Sequence, residues 1–97
     1  MKAKVILNKA TSQERVVEFD VPEMSGTEKQ VKWAVDIFVD TVCGLLNMVG
    51  ERINEPEIRT KYEEYLNVLS SQTSASWWIN HRGLTWGQIY KEILNLQ

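Results

Sequence analysis

Residues 25–49 read SGTEKQVKWAVDIFVDTVCGLLNMV, and the fold turns on how this stretch is read. Val31, Ala34, Val35, Phe38, Val42, Leu45, Leu46 and Val49 recur at three- and four-residue spacing. Lys29, Lys32, Asp36, Asp40 and Asn47 trace a narrow polar stripe. That period predicts a helix, running to about Met48–Ile53. A helix this apolar is covered on most of its sides, so it should be the spine of the core. Residues 25–28 (SGTE) read as its capping box, with Ser25 accepting from an early backbone N–H and Glu28 reaching back. The piece VDIFVDTV (35–42) is β-branched and on its own suits a strand. The cap and the polar stripe favour the helix.

Upstream, residues 2–21 read as a β-hairpin. Ala3, Val5 and Leu7 alternate with Lys2, Lys4 and Ile6; Val17, Phe19 and Val21 alternate with Val16, Glu18 and Asp20. Alternation gives one buried face and one wetter face. Charge then selects a register. With Lys4 opposite Glu18 and Lys2 opposite Asp20, Val5 faces Val17 and Ala3 faces Phe19. Each such cross-strand pair adds a few tenths of a kcal/mol, up to about 1. The turn is the polar run Lys9–Gln13, and Pro22 ends the second strand. A bare hairpin is unstable in water, so a helix must cover its apolar face.

Downstream, residues 54–57 (NEPE) start a second helix, with Asn54 as N-cap and Pro56 in the first turn. Ile58, Tyr62, Tyr65, Leu66 and Leu69 form its apolar stripe; Glu57–Lys61 and Arg59–Glu63 are i,i+4 pairs on the other face. Ser70–Ser74 is a short polar linker. Residues 74–82 (SASWWINHR) fit two helical turns ended by Gly83. Residues 85–88 (TWGQ) are another capping box, with Leu84 and Ile89 placed for a hydrophobic staple. The last helix carries Ile89, Tyr90, Ile93 and Leu94. The expected fold is therefore α+β: an N-terminal β-hairpin packed on a long central helix with three further helices, as one domain over 1–97.

The counts bound the function. Eleven Lys+Arg against thirteen Asp+Glu leave a net charge of -2. A protein held to nucleic acid by phosphate contacts shows a basic excess or patch, and nothing that strong is present. The charge is also too small for an acidic DNA mimic. Cys43 is the single cysteine, which excludes an intrachain disulfide and suits a reducing cytosol. The apolar run of MKAKVILNKA stops too early for a secretory signal. Lys32, Asp36, Asp40, Gly44 and Asn47 break the longest apolar region, and a membrane span needs about 20 apolar residues. The expected location is cytoplasmic.

No residue set points to catalysis, a metal or a cofactor. His81 has no second ligand near it in sequence, Cys43 lies in the apolar spine, and Asp36 and Asp40 read as a solvated stripe. The expectation is a non-enzymatic chain with no cofactor. The tryptophans stay open between two readings. Trp78 and Ile79 face inward with Ala75, which leaves Trp77 more exposed, and Trp86 opens the next helix. Exposed aromatics beside His81 and Arg82 fit an interaction hot spot, or stack on bases; equally, all three close a small core. Residues 74–94 can be laid on a helix-turn-helix, but Ile79, Arg82 and Glu92 stand at positions that want small, apolar and buried residues.

Residues 26–34 (GTEKQVKWA), with Ile37 following, and residues 75–82 (ASWWINHR) together resemble a signature of poorly characterised small bacterial and phage proteins. It runs Gly-Ser-Glu-Lys-Gln-Ile-x-Trp-Ala, then Ala-x-x-Trp-Ile-Asp-x-Arg. The match covers about a fifth of the chain. Thr27 replaces Ser, and Asn80 replaces Asp, which weakens any ionic role at Asn80. That family has no assigned activity; the resemblance implies a mobile-element setting. If the spine helix crosses the short third helix, Trp33 packs on Trp78 inside a rim of Lys29, Gln30, Asn80 and Arg82. The rim is either a helix–helix lock or a ligand or partner site.

The expected function is a small protein–protein interaction module, using Lys29, Gln30, Trp33, Trp77, Asn80, Arg82 and Trp86. Its sharper form is a phage- or mobile-element-encoded inhibitor of a host defence complex, in the manner of an anti-CRISPR protein. The partner is then a host protein or protein complex. A leftover apolar face on the spine or last helix offers a route to a homodimer. The alternative is a nucleic-acid-binding accessory protein using residues 74–94.

Overall fold

The computed structural model describes residues 2–7 and 15–96. The turn expected at Lys9–Gln13 lies outside the described residues. Strands β1 (Lys2–Leu7) and β2 (Arg15–Asp20) pair antiparallel. Their register sets Lys2 against Asp20, Ala3 against Phe19, Lys4 against Glu18 and Val5 against Val17. This is the register that charge and apolar matching select; Lys4 Nζ lies 3.4 Å from Glu18 Oε1. Val17 and Phe19 are buried, while Val16 and Glu18 stay exposed on the other face.

The deciding stretch is one helix, α1 (Glu28–Val49). It buries Ala34, Phe38, Thr41, Val42, Leu45, Leu46 and Val49, a stripe at helical spacing. Its cap differs from the expected one. Thr27, not Ser25, is the N-cap. Thr27 Oγ1 accepts from the Gln30 N–H at 3.2 Å, and Gln30 Oε1 accepts from the Thr27 N–H at 3.0 Å. Ser25 is engaged elsewhere. Its N–H donates to the Thr73 carbonyl at 2.8 Å, and its carbonyl accepts from the Ala75 N–H at 3.0 Å. Ser25 thus forms an isolated parallel bridge with Ser74, and the helix cap lies two positions later. Between them Gly26 has φ 149°, and a Cβ there would come within 3.0 Å of the Ala75 Cβ. Both the backbone and the close approach require glycine.

A short 3-10 turn, Gly50–Asn54, follows α1 and leads into α2 (Pro56–Ser70). The turn absorbs Asn54, so the expected cap there is not used. Glu55 occupies the N-cap position without a side-chain bond, and Pro56 opens the helix. Tyr62 and Leu69 are buried, with Ile58, Tyr65 and Leu66 packed beside them. Arg59 pairs with Glu63 at 3.3 Å on the outer face.

Helix α3 (Ala75–Asn80) is capped by Ser74, whose Oγ accepts from the Trp77 N–H at 3.4 Å. After the turn at Gly83, α4 (Trp86–Asn95) carries the expected box: Thr85 Oγ1 accepts from Gln88 N–H, and Gln88 Oε1 from Thr85 N–H. Leu84, the residue before that cap, remains 38% exposed. The hairpin and α3 pack on α1; α4 packs on α2 and α1. Their shared core holds Phe19, Phe38, Leu45, Tyr62, Trp78, Ile89 and Ile93. The chain is thus a helix-dominated α+β fold, a hairpin on a long central helix with three further helices. Among the described residues, no helix is long and apolar enough to cross a membrane.

Candidate functional site

The two segments that carry the signature resemblance are neighbours in space. They form the seam between α1 and α3. At its start the Ser25 bridge and the Gly26–Ala75 approach hold the two N-termini together. In its middle Trp78 is fully buried. Its ring meets Phe38 edge-on, centroids 5.4 Å apart, and Phe38 in turn lies 6.2 Å from Phe19 of β2. The indole Nε1–H donates to the Gln72 carbonyl at 2.9 Å. Trp78 therefore ties α3, α1 and the hairpin into one core.

Trp33 is not part of that contact. The expected Trp33–Trp78 pair is replaced by Phe38–Trp78. Successive helix positions point about 100° apart. Ala34 and Phe38 face inward with no exposure, so Trp33 falls on the rim, 48% exposed. There the Arg82 guanidinium sits over its ring, 5.0 Å from the centroid. Arg82 Nη1 also donates to the Ile79 carbonyl at 2.8 Å. The cation is thus held by the end of α3 and the face of α1 together. At exposed positions such a pair contributes about 0.5–1 kcal/mol.

The remaining expected site residues divide. Gln30 is spent on the α1 cap. Lys29 is exposed one turn before Trp33 on the same helix face, and Asn80 is exposed at the end of α3. Trp77 is half-buried; it meets Trp78 edge-on at 5.4 Å and stacks on His81 at 3.9 Å, with planes 16° apart. The Trp77 carbonyl lies 2.7 Å from His81 Nδ1. A carbonyl only accepts, so Nδ1 carries the proton. That contact closes the end of α3. Among the described residues, no group of three or more His, Cys, Asp and Glu is placed to hold a metal ion.

Trp86 is half-buried at a second aromatic cluster. Its ring lies 5.2 Å from Tyr65, which meets Tyr90 edge-on at 4.9 Å. Trp86 also lines a groove of about 420 Å³. Asp40, Thr41 and Gly44 of α1 line it too, with Gly83, Leu84 and Thr85 of the turn between α3 and α4. Sequence reasoning missed this groove. It takes Asp40 for one member of a solvated stripe, and only the position of the α3–α4 turn gives that carboxylate a facing wall. An exposed indole under a fixed guanidinium, and beside it a groove with a carboxylate, make a surface suited to binding.

One buried group lies away from this surface. Among the described residues, the buried Tyr62 hydroxyl has no hydrogen-bond partner. Burial pushes its pKa above the ordinary 10.0; Arg59 opposes the shift and Glu63 adds to it.

No family model, curated protein or solved structure matches the chain.

Proposed function

We propose that the chain is a protein–protein interaction module that engages its partner along the exposed edge of the α1–α3 seam. The observation that carries this reading is Arg82 held over a half-exposed Trp33. Tryptophan and arginine are the residues most enriched at interface hot spots. Trp33 stands on α1, and Arg82, in the turn after α3, is held by the Ile79 carbonyl and the Trp33 ring, which lowers the ordering cost of association. Lys29 and Asn80 flank the pair as a polar rim.

The likeness of residues 26–34 and 75–82 to a signature of small phage and bacterial proteins supports the finer reading. On it, the module is an inhibitor encoded by a phage or mobile element, and the partner is a host defence complex such as a nuclease assembly. The test is affinity capture from bacterial host lysate with quantitative mass spectrometry, comparing the natural chain with Trp33→Ala and Arg82→Ala. The expected result is a stoichiometric host protein that both variants lose while remaining folded, with Arg82→Ala melting no more than about 4–8 °C below the natural chain. No stable partner, or one retained by both variants, overturns the proposal. A steep salt-dependent shift of duplex DNA or RNA would instead favour the nucleic-acid alternative. Against that alternative, α1 intersperses Lys29 and Lys32 with exposed Asp36 and Asp40.

A further inference from the structure

We propose that the groove between α1 and the α3–α4 turn receives an arginine side chain from the partner polypeptide. The inference rests on the interaction-module reading and names what the partner presents at that same surface. Three features of the groove converge on a long cationic side chain.

The first is charge. Asp40 is exposed, and among the described residues it has no ion-pair partner. The cation next to the groove in sequence, Arg82, is already committed to the Ile79 carbonyl and the Trp33 ring. The carboxylate is therefore left to an incoming group. The second is the apolar lip. Leu84 and the half-buried Trp86 line the groove with Asp40. They suit the aliphatic stem of a side chain whose charged head reaches further. The indole also attracts a cation over its face.

The third is space. Gly44 lies inside α1, where glycine weakens a helix relative to alanine. Its φ is not positive, and a Cβ there would stand 3.7 Å from Trp86 Cδ1, an ordinary contact. The fold does not demand glycine at this position. Its missing side chain leaves more room in the groove that it lines. A guanidinium suits the site better than an ammonium, because its planar fork bonds a carboxylate through two N–H groups and stacks on an aromatic ring.

The test titrates the chain with N-acetyl-arginine methylamide and follows the Trp86 indole N–H and the Gly44 amide by NMR. The neutral isostere, N-acetyl-citrulline methylamide, is the control. The expected result is a saturable shift of both signals with the arginine probe and none with citrulline. Asp40→Asn, an exposed change that leaves the core untouched, should weaken the arginine probe about tenfold. No arginine response, an equal citrulline response, or undiminished binding in Asp40→Asn overturns the inference. So does a shift of the same signals by inorganic phosphate or N-acetyl-leucine methylamide, since the occupant would then be anionic or merely apolar. The assay needs no partner, so its failure is distinct from failure of the capture experiment.

Discussion

The ring of Phe38 meets the indole of Trp78 edge-on, with centroids 5.4 Å apart and planes at 84°. This arrangement sets the positive edge of one ring toward the electron-rich face of the other. It is also where the helix decided by residues 25–49 is joined to the segment 75–82. Trp78→Ala should therefore destabilise the chain by about 3–5 kcal/mol. Trp78→Phe keeps much of the apolar contact but leaves the Gln72 carbonyl without its donor, at a cost of about 1–3 kcal/mol. Urea unfolding followed by circular dichroism measures both.

Arg82→Ala separates a structural lock from a binding edge. The guanidinium is exposed, and its contact with Trp33 is a surface cation–π pair worth about 0.5–1 kcal/mol. For a chain this size, 1 kcal/mol corresponds to about 4–8 °C in melting temperature. A thermal scan should show a fall no larger than that. A much larger fall would make the pair a lock and remove the basis for a binding edge.

The start of α1 can be tested at two serine/threonine positions. Thr27→Ala removes the acceptor for the Gln30 N–H and should cost about 1 kcal/mol. Ser25→Ala keeps the backbone bridge to Thr73 and Ala75, so it should stay within about 0.5 kcal/mol of the natural chain. Equal losses at both positions, measured by denaturant unfolding, would contradict the assigned cap.

Tyr62→Phe should be neutral or stabilising, because it removes a buried hydroxyl that has no partner among the described residues. It should also change the alkaline limb of the stability curve. The folded-state pKa of Tyr62 is raised by burial, so the unfolded chain ionises first. The stability that Tyr62 contributes is fully present below the ordinary 10.0 and is lost as pH rises from there through the folded value. Unfolding free energies measured from pH 8 to 11 should fall less steeply in Tyr62→Phe.

Gly44→Ala should raise stability by about 0.5–1 kcal/mol, since alanine is the better helix former and its Cβ meets Trp86 at contact distance. A loss in the thermal scan would show that the Trp86–Tyr65 cluster cannot accept the added carbon.

Local order was legible because it is written in spacing. The three- and four-residue recurrence from Val31 to Val49 sets a helical period over that stretch. Opposed charges at Lys4 and Glu18 set the hairpin register from within the two strands. Thr85 and Gln88 meet across one turn, so their box needs no distant partner. Ser25 shows where such reasoning ends. It carries the local pattern of a cap, but a carbonyl 48 positions away takes its N–H and moves the helix start to Thr27.

The candidate surface divides in the same way. The sequence alone marks Trp33, Trp77, Trp86 and Arg82 as aromatic and cationic groups beside helix ends. Which of them faces water is settled by how α3 lies across α1. That crossing sends Ala34 and Phe38 inward, buries Trp78 and leaves Trp33 under Arg82. It also brings the α3–α4 turn over Asp40, making a groove from residues far apart in the chain. Helical period determines which side chains share a face. Only the tertiary packing decides what lies opposite that face, because burial is a relation between two surfaces and one segment's pattern describes a single one of them.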